Sequence, residues 1–378
     1  MLAIFILRVF LISAVLFLVV FYIVCFRFAV LRMKAPSYAY SPTVSVIIPA
    51  RNEEGVIDGL LNDLRNSSYR IAETIVVDDN SSDLTYETAR NLNATTIRND
   101  TTLGKAASIN KAAGVASGDI IVVFDADNRP QNDCVQRLAQ HFTSEHVGVA
   151  TGVTKVISRG FVSRLVALEF SLCFSVFQPF STRLGFFPIL HGAFFAMRRD
   201  LALFDQTALT EDFDISITMS SKGYKMAFEP EAVSYVSAPP SFCLFAHQRE
   251  RWVRGAVQSC FRKKNSVKKA FPRIGFLGLF LKALEYCLPL VWASNLTLLL
   301  LSYFLGETLL AYVALFSLVV LTLLAFAANI RGKNKISDVM ALPFLGYFYL
   351  LFVVWYFLKS LVLEYFGYES KFSKIPHR

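Results

Sequence analysis

Two aspartates, Asp125 and Asp127, flank Ala126 directly after the apolar run DIIVVF (119–124). That run reads as a buried strand, and in an open parallel sheet ligands bind outside the carboxyl ends of the strands. Two carboxylates one residue apart on a sharp turn can face a single divalent ion. Hard Mg²⁺ or Mn²⁺ takes oxygen ligands and commonly bridges to phosphates. The same triplet could do no more than cap a turn. Asp78 and Asp79 hold the equivalent place after the apolar run Thr74–Val77. With Asn80 and Ser81 they form either a turn and helix cap, or a carboxylate that accepts hydrogen bonds from the base or ribose of a nucleotide. Lys105, beside Gly104, could contact that nucleotide or be an ordinary solvated lysine.

Further along, Glu211 and Asp212 precede the helical-looking FDISITMSSKG. Acids are commonplace at a helix start, and they are also candidates for a general base acting on a hydroxyl. Gln248-Arg249-Glu250-Arg251-Trp252 joins charge-assisted donors to an aromatic face. The Arg251 guanidinium could neutralise a leaving diphosphate and Trp252 could stack on a sugar ring. A basic interfacial segment is the plainer alternative.

The elements that must position these residues follow from the apolar pattern. Residues 43–50, 74–77 and 119–124 read as strands, and 53–66, 84–91 and 106–116 as helices between them, the first with an acidic opening turn. Strands apolar on both faces and alternating with helices predict an α/β fold with a mostly parallel sheet covered on both sides. Segment 161–190 mixes Arg164, Glu169 and Arg183 with many apolar residues and suits either an interfacial helix or a core helix. Residues 198–241 are polar and rich in turn signals.

The chain of 378 residues is 54% hydrophobic and only 18% charged, with 35 phenylalanines. Its mean hydropathy is +0.46. The net charge of +9 would suit nucleic acid, but the cations gather beside apolar runs. Arg27, Arg32 and Lys34 follow the first run. Lys263, Lys264, Lys268, Lys269 and Arg273 precede the second, and Arg331, Lys333 and Lys335 separate two others. Such clusters are retained on the cytoplasmic side and attract anionic lipid, so membrane lipids are the expected partner and nucleic acid is not. The six cysteines lack CxxC spacing and read as reduced packing residues.

Val9–Phe26 is a run of about 18 residues without charge, rising about 27 Å as a helix, which predicts an uncleaved anchor. Residues 274–284 suit a short interfacial helix, and Leu288–Leu305, Leu309–Ala328 and Met340–Leu358 suit spans. Four crossings would leave the basic tail 364–378 outside, against the charge rule, unless a boundary is misplaced or the last segment does not fully cross. The expected organisation is an anchor (1–34), a cytoplasmic sheet domain (43–256), a basic linker with interfacial helix (257–285), about three C-terminal membrane helices (286–363) and a tail (364–378).

In order, VSVIIPARNEE (44–54), VVDDNSSD (76–83), GKAASIN (104–110), DAD (125–127), HGAFFAMRR (191–199), TEDFD (210–214), GYKMAFEPEA (223–232) and QRERW (248–252) resemble the membrane-integrated inverting family 2 glycosyltransferases of GT-A fold. These include cellulose, chitin, hyaluronan and poly-N-acetylglucosamine synthases and ceramide glucosyltransferase. The resemblance implies a UDP-sugar donor, with Glu53, Asp79, Lys105, Asp125 and Arg251 at the donor. It implies Mg²⁺ or Mn²⁺ on Asp127 and Asp125, and Asp212 as general base with Glu211 beside it. Gly192, Gln248 and Trp252 would line the acceptor, a polysaccharide or a lipid. His191-Gly192-Ala193 departs from the Ser-Gly-Pro of many hyaluronan and chitin synthases, while the tail FSKIPHR (372–378) resembles the endings of poly-N-acetylglucosamine-type synthases. The resemblance further implies an integral plasma-membrane protein, working alone, as a homo-oligomer or with an accessory export protein.

Overall fold

The computed structural model describes residues 2–31, 41–157, 160–184, 189–270, 284 and 287–368. Its strands are β1 (Val44–Ala50), β2 (Glu73–Asp78), β3 (Thr95–Arg98), β4 (Ile120–Phe124), β5 (Arg129–Pro130), β6 (Val147–Ile157), β7 (Phe194–Arg198) and β8 (Lys225–Ser237). They form one sheet in the order β3-β2-β1-β4-β7-β6-β8-β5. From β3 to β4 every pairing is parallel. β7 then enters antiparallel between β4 and β6. The pair β6–β8 is parallel again, and the short β5 closes the edge of β8 antiparallel.

Every residue of β1 and β4 is buried, as strands covered on both faces must be. Helices α2 (Ile57–Arg65), α3 (Thr85–Asn91), α4 (Lys105–Val115) and α5 (Cys134–Ala139) supply the cover. The helix expected from residue 53 starts later, at Ile57. Asn52 leaves β1 at φ +56°, and the Glu53 backbone N–H donates to Thr85 Oγ1 at 2.8 Å, which holds this stretch in a turn. The antiparallel half of the sheet lies where the sequence shows mixed polarity: β8 runs through the segment read as polar with turns.

Residues 161–184 form a nearly continuous helical rod, α6 (Phe161–Leu172), a π-turn (Cys173–Phe177) and α7 (Gln178–Leu184). Of the two expectations for this segment, the core helix is the one observed. Phe174 stacks on Phe228 of β8 at 6.4 Å, and Phe180 meets Phe21 of the N-terminal helix α1 (Leu2–Val30) edge-on at 6.0 Å. The rod therefore joins the sheet domain to the apolar helices. Arg183 donates to the carbonyls of Phe28 and Leu31 and caps the end of α1.

Among the described residues, four helices are long and apolar enough to cross a bilayer: Arg8–Val30, the buried rod Phe161–Leu184, Thr308–Arg331 and Ile336–Tyr365. Leu288–Phe304 is shorter, at 17 residues. It forms a hairpin with Thr308–Arg331 through Gly306 at φ +69°, and Trp292 Nε1 donates to Thr322 Oγ1 across the pair at 2.9 Å. Such interhelical bonds satisfy polar groups that lipid cannot.

Ile336–Tyr365 begins at the rod, where Asn334 Nδ2 donates to the Ala167 carbonyl at 3.3 Å. It ends against α9 (Phe242–Arg262), where Lys359 Nζ pairs with Glu250 at 2.7 Å and Arg254 Nη2 donates to the Tyr368 carbonyl at 3.2 Å. Both ends thus touch the sheet-domain side. Arg32, Lys34, Arg273, most of 274–284, and the tail with Lys371, Lys374 and Arg378 lie outside the described residues.

Candidate active site

The parallel strands β1 and β2 end level, Ala50 opposite Asp78, and β4 ends two residues short of them at the same edge, Ile47 lying opposite Val123. The residues that follow them therefore share one edge of the sheet. Glu53 is buried beside Thr85. Asp79 is buried and already well used: it accepts from Asn99 Nδ2 at 2.9 Å and from the backbone N–H groups of Leu103 and Gly104, each at 2.8 Å. Of about four acceptor directions on a carboxylate, three are spent shaping the 99–104 loop and one remains for a ligand.

That loop delivers Lys105. Gly104 turns the chain at φ +92°, in the left-handed region, and Lys105 opens α4. Its ammonium reaches Asp125 Oδ1 at 2.6 Å, Gly192 O at 2.7 Å and Glu211 Oε1 at 3.1 Å. Burial alone would discharge this lysine, but the carboxylates of Asp125 and Glu211 outweigh it and hold its pKa well above the usual range. Glu211 is correspondingly held below the usual carboxylate range against its own burial, by Lys105 and Arg251.

Asp125 and Asp127 sit on the turn after β4. The Asp125 N–H donates to Ala193 O at 2.9 Å. Asn128, fully buried, braces the turn: its Nδ2 donates to Ala193 O at 2.9 Å and its Oδ1 accepts from Ser234 Oγ at 2.7 Å. The acidic turn is thereby tied to both β7 and β8. Sequence analysis did not single out Asn128; its place next to the acidic triplet was the available signal.

Asp212 lies at the start of α8 (Glu211–Ser221). Its Oδ2 accepts from the Gly192 N–H and its Oδ1 from the Phe213 N–H, each at 2.8 Å. Burial and the neighbouring Glu211 push its pKa up to about 6, with Lys105 opposing. A Cβ at position 192 would lie 2.7 Å from Asp212 Oδ2, so glycine there is a packing requirement of the carboxylate.

Helix α9 carries the QRERW residues. A Cβ on Gly255 would meet Thr210 at 2.4 Å, so glycine lets α9 approach the start of α8 closely. One turn earlier, Arg251 Nη1 donates to Leu209 O at 3.2 Å and its charge bears on Glu211 and Asp212. Trp252 packs edge-on to His191, ring centroids 6.3 Å apart. His191 bonds Thr154 Oγ1 at 3.1 Å between Phe170 and Phe174. Burial, then Lys105 and Arg249, push its pKa down to about 3, so it is neutral. Gln248 Oε1 accepts from Arg249.

The structure thus brings Lys105, Asp125, Gly192, Glu211, Asp212 and Arg251 into one continuous charged cluster, with Asp127 on the same turn and Trp252 at its edge. Asp79 borders it through the loop, Glu53 bonds Thr85 at the start of α3, and Gln248 bonds Arg249. His191, next to Gly192, is an addition that the sequence flagged only as a departure from Ser-Gly-Pro.

The profile described as "Glycosyl transferase family 2" matches residues 45–203. A "Probable glycosyltransferase YdaM" of Bacillus subtilis is 33% identical over 57% of this chain and 55% of its own length. The "Poly-beta-1,6-N-acetyl-D-glucosamine synthase" of Staphylococcus aureus is 23% identical over 66% of this chain and 62% of its own. The chain thus spans a little over half the length of these curated relatives. A solved structure of the mannosyltransferase PcManGT from Pyrobaculum calidifontis, in complex with GDP-Man and Mn²⁺, superposes with a TM-score of 0.62 at 21% identity, covering 96% of this chain and 99% of that one. That likeness is one of fold, and it agrees with the GT-A arrangement flanked by apolar helices.

Proposed function

We propose that this protein, whose residues 45–203 match the family 2 glycosyl transferase profile, transfers a sugar from a UDP-sugar, UDP-N-acetylglucosamine or UDP-glucose, with inversion, to extend a β-linked polysaccharide at the membrane. The observation that carries the reading is Asp212, fixed by two backbone N–H groups beside the Lys105–Asp125 pair. Its pKa of about 6 leaves it ionised at neutral pH and still able to accept a proton. Asp212 takes the proton of the acceptor hydroxyl as that oxygen bonds to the anomeric carbon. The bond from that carbon to the diphosphate oxygen breaks on the opposite side. Arg251 and Lys105 neutralise the departing nucleoside diphosphate, and Trp252 with Gly192 lines the acceptor.

Among the described residues no three His, Cys, Asp or Glu side chains gather as a metal cage. The fit is instead to a hard ion held by one or two carboxylates and by phosphate oxygens. Asp125 and Asp127 stand on the right turn for it, and Asp125 already draws an ammonium to 2.6 Å. Mg²⁺ or Mn²⁺ bound there supplies positive charge to the diphosphate. Arg331, Lys333 and Lys335 lie at the sheet-domain end of the Thr308–Arg331 helix, where the Arg331 guanidinium donates to Ala29 O at 2.8 Å. That placement supports a cytoplasmic sheet domain at the plasma membrane.

The polymer reading has support from the named S. aureus relative. A single sugar placed on a lipid is favoured by a different observation, the return of the C-terminal helix to α9, which leaves few helices to form a conduit. Purified protein given radiolabelled UDP-sugars with Mg²⁺ or Mn²⁺, followed by product sizing, separates them. A ladder supports extension; one glycolipid of fixed mass contradicts it, and no transfer from any donor contradicts both.

A further inference from the structure

Glu169 on α6, Arg249 on α9 and Tyr349 on the C-terminal helix meet in the core between the sheet domain and the apolar helices. Arg249 Nε donates to both Glu169 oxygens at 3.2 and 3.1 Å, and its Nη2 also donates to Oε2. The Tyr349 phenol donates to Glu169 Oε1. The guanidinium carbon of Arg249 stands 4.2 Å from the Phe245 ring centroid and 4.4 Å from that of Trp252. Its Nη1 donates to Gln248 Oε1. One buried cation therefore holds the first and last residues of QRERW, while Arg251 between them faces Leu209 and Glu211.

A buried ion pair is weak evidence for a stabilising role, because desolvation offsets much of the attraction and apolar replacement of both partners is often tolerated. The better-attested use is to fix geometry. Here the pair fixes the plane of the guanidinium, and that plane is what Trp252 packs on. Glu169 grips the Nε and Nη2 edge of that plane. The donor cluster is built separately, from Lys105, Asp125 and Glu211.

We propose that Glu169, acting through Arg249, is a positioning residue that sets the Trp252 ring and so the seating of the acceptor over Asp212, with Tyr349 tying this setting to the C-terminal helix. The inference rests on the acceptor-side reading of Trp252 given above. It identifies a residue outside every motif that governs acceptor use and leaves donor use alone.

The test uses the full chain in lipid nanodiscs, with three readouts: transfer to acceptor, hydrolysis of donor without acceptor, and affinity for the nucleoside diphosphate. E169L/R249M removes both charges, so it avoids leaving one buried and unpaired. In that variant the acceptor KM rises about tenfold or more, while hydrolysis and nucleotide affinity stay within about twofold of the parent. Y349F raises the acceptor KM by about two- to fourfold, and E169D falls between Y349F and the double variant. An unchanged acceptor KM overturns the proposal. So does a parallel fall in all three readouts, which would make the pair structural. A parent protein that neither transfers nor hydrolyses any donor overturns the proposed function itself, and this inference with it.

Discussion

The proposed donor half of the site and the proposed acceptor half are built on opposite plans. At the donor, Glu53, Asp79 and Asp125 each follow a parallel strand by one to three residues, so the backbone that buries the strand also delivers the carboxylate. At the acceptor, Gly192, Asp212 and Trp252 come from a loop, α8 and α9, and are held in place by one another. Gly192 donates to Asp212 across 20 positions, and Arg249 reaches Glu169 across 80. Local delivery makes the donor half tolerant of change elsewhere in the chain. The acceptor half depends on long-range contacts and should fail first when any of them is altered.

That contrast sets the expected size of each effect. Asp212→Asn removes the proposed base without changing the shape of the carboxyl, and single-turnover transfer falls by about 10³-fold, within the span usual for general-base loss. Affinity for the nucleoside diphosphate, followed by titration calorimetry, stays within about twofold. An equal loss of both would mean that the halves cannot be separated. Gly192→Ala places a methyl group 2.7 Å from Asp212 Oδ2 and must push the carboxylate aside. Transfer then falls by about 10²-fold, the usual consequence of misplacing a catalytic group by a fraction of its own size.

A smaller effect is expected of pH. Asp212 works deprotonated and its pKa is raised to about 6. kcat/KM is therefore flat above that pH and falls by about tenfold per unit below it. The acid limb should vanish in Asp212→Asn. The smallest effect on rate belongs to Asn128→Ala, which leaves every charged group in place. It breaks the bonds to Ala193 and Ser234 that join the two halves, and urea denaturation should show a loss of about 1–3 kcal/mol for the buried groups left unsatisfied. Transfer should fall more than nucleotide affinity, because the acidic turn would then loosen from β7.

The donor half was legible in the sequence for the same reason that it is locally built. A run such as DIIVVF followed by acids states both the strand and the site. The apolar helices also read directly from apolar length. β6, β7 and β8 did not, because their pairing partners lie far along the chain and their polarity is mixed. Glu169 looked like an interruption in an apolar segment; only its contact with Arg249 gives it a role. Lys105 was read as a nucleotide contact or a surface lysine, and its grip on Asp125 and Glu211 depended on β4 and α8 arriving at the same edge. The C-terminal helix expected over Met340–Leu358 is present within Ile336–Tyr365, long and apolar enough to cross.

The central claim, a single displacement with Asp212 as base, is tested most directly by the anomeric configuration of the first sugar transferred from an α-linked donor. Proton NMR of the product formed by purified protein in nanodiscs reads it without reference to chain length. The account predicts a β-linked product, because one attack from the face opposite the diphosphate inverts the carbon once. An α-linked product would require two displacements or attack from the same face, and would contradict the role assigned to Asp212.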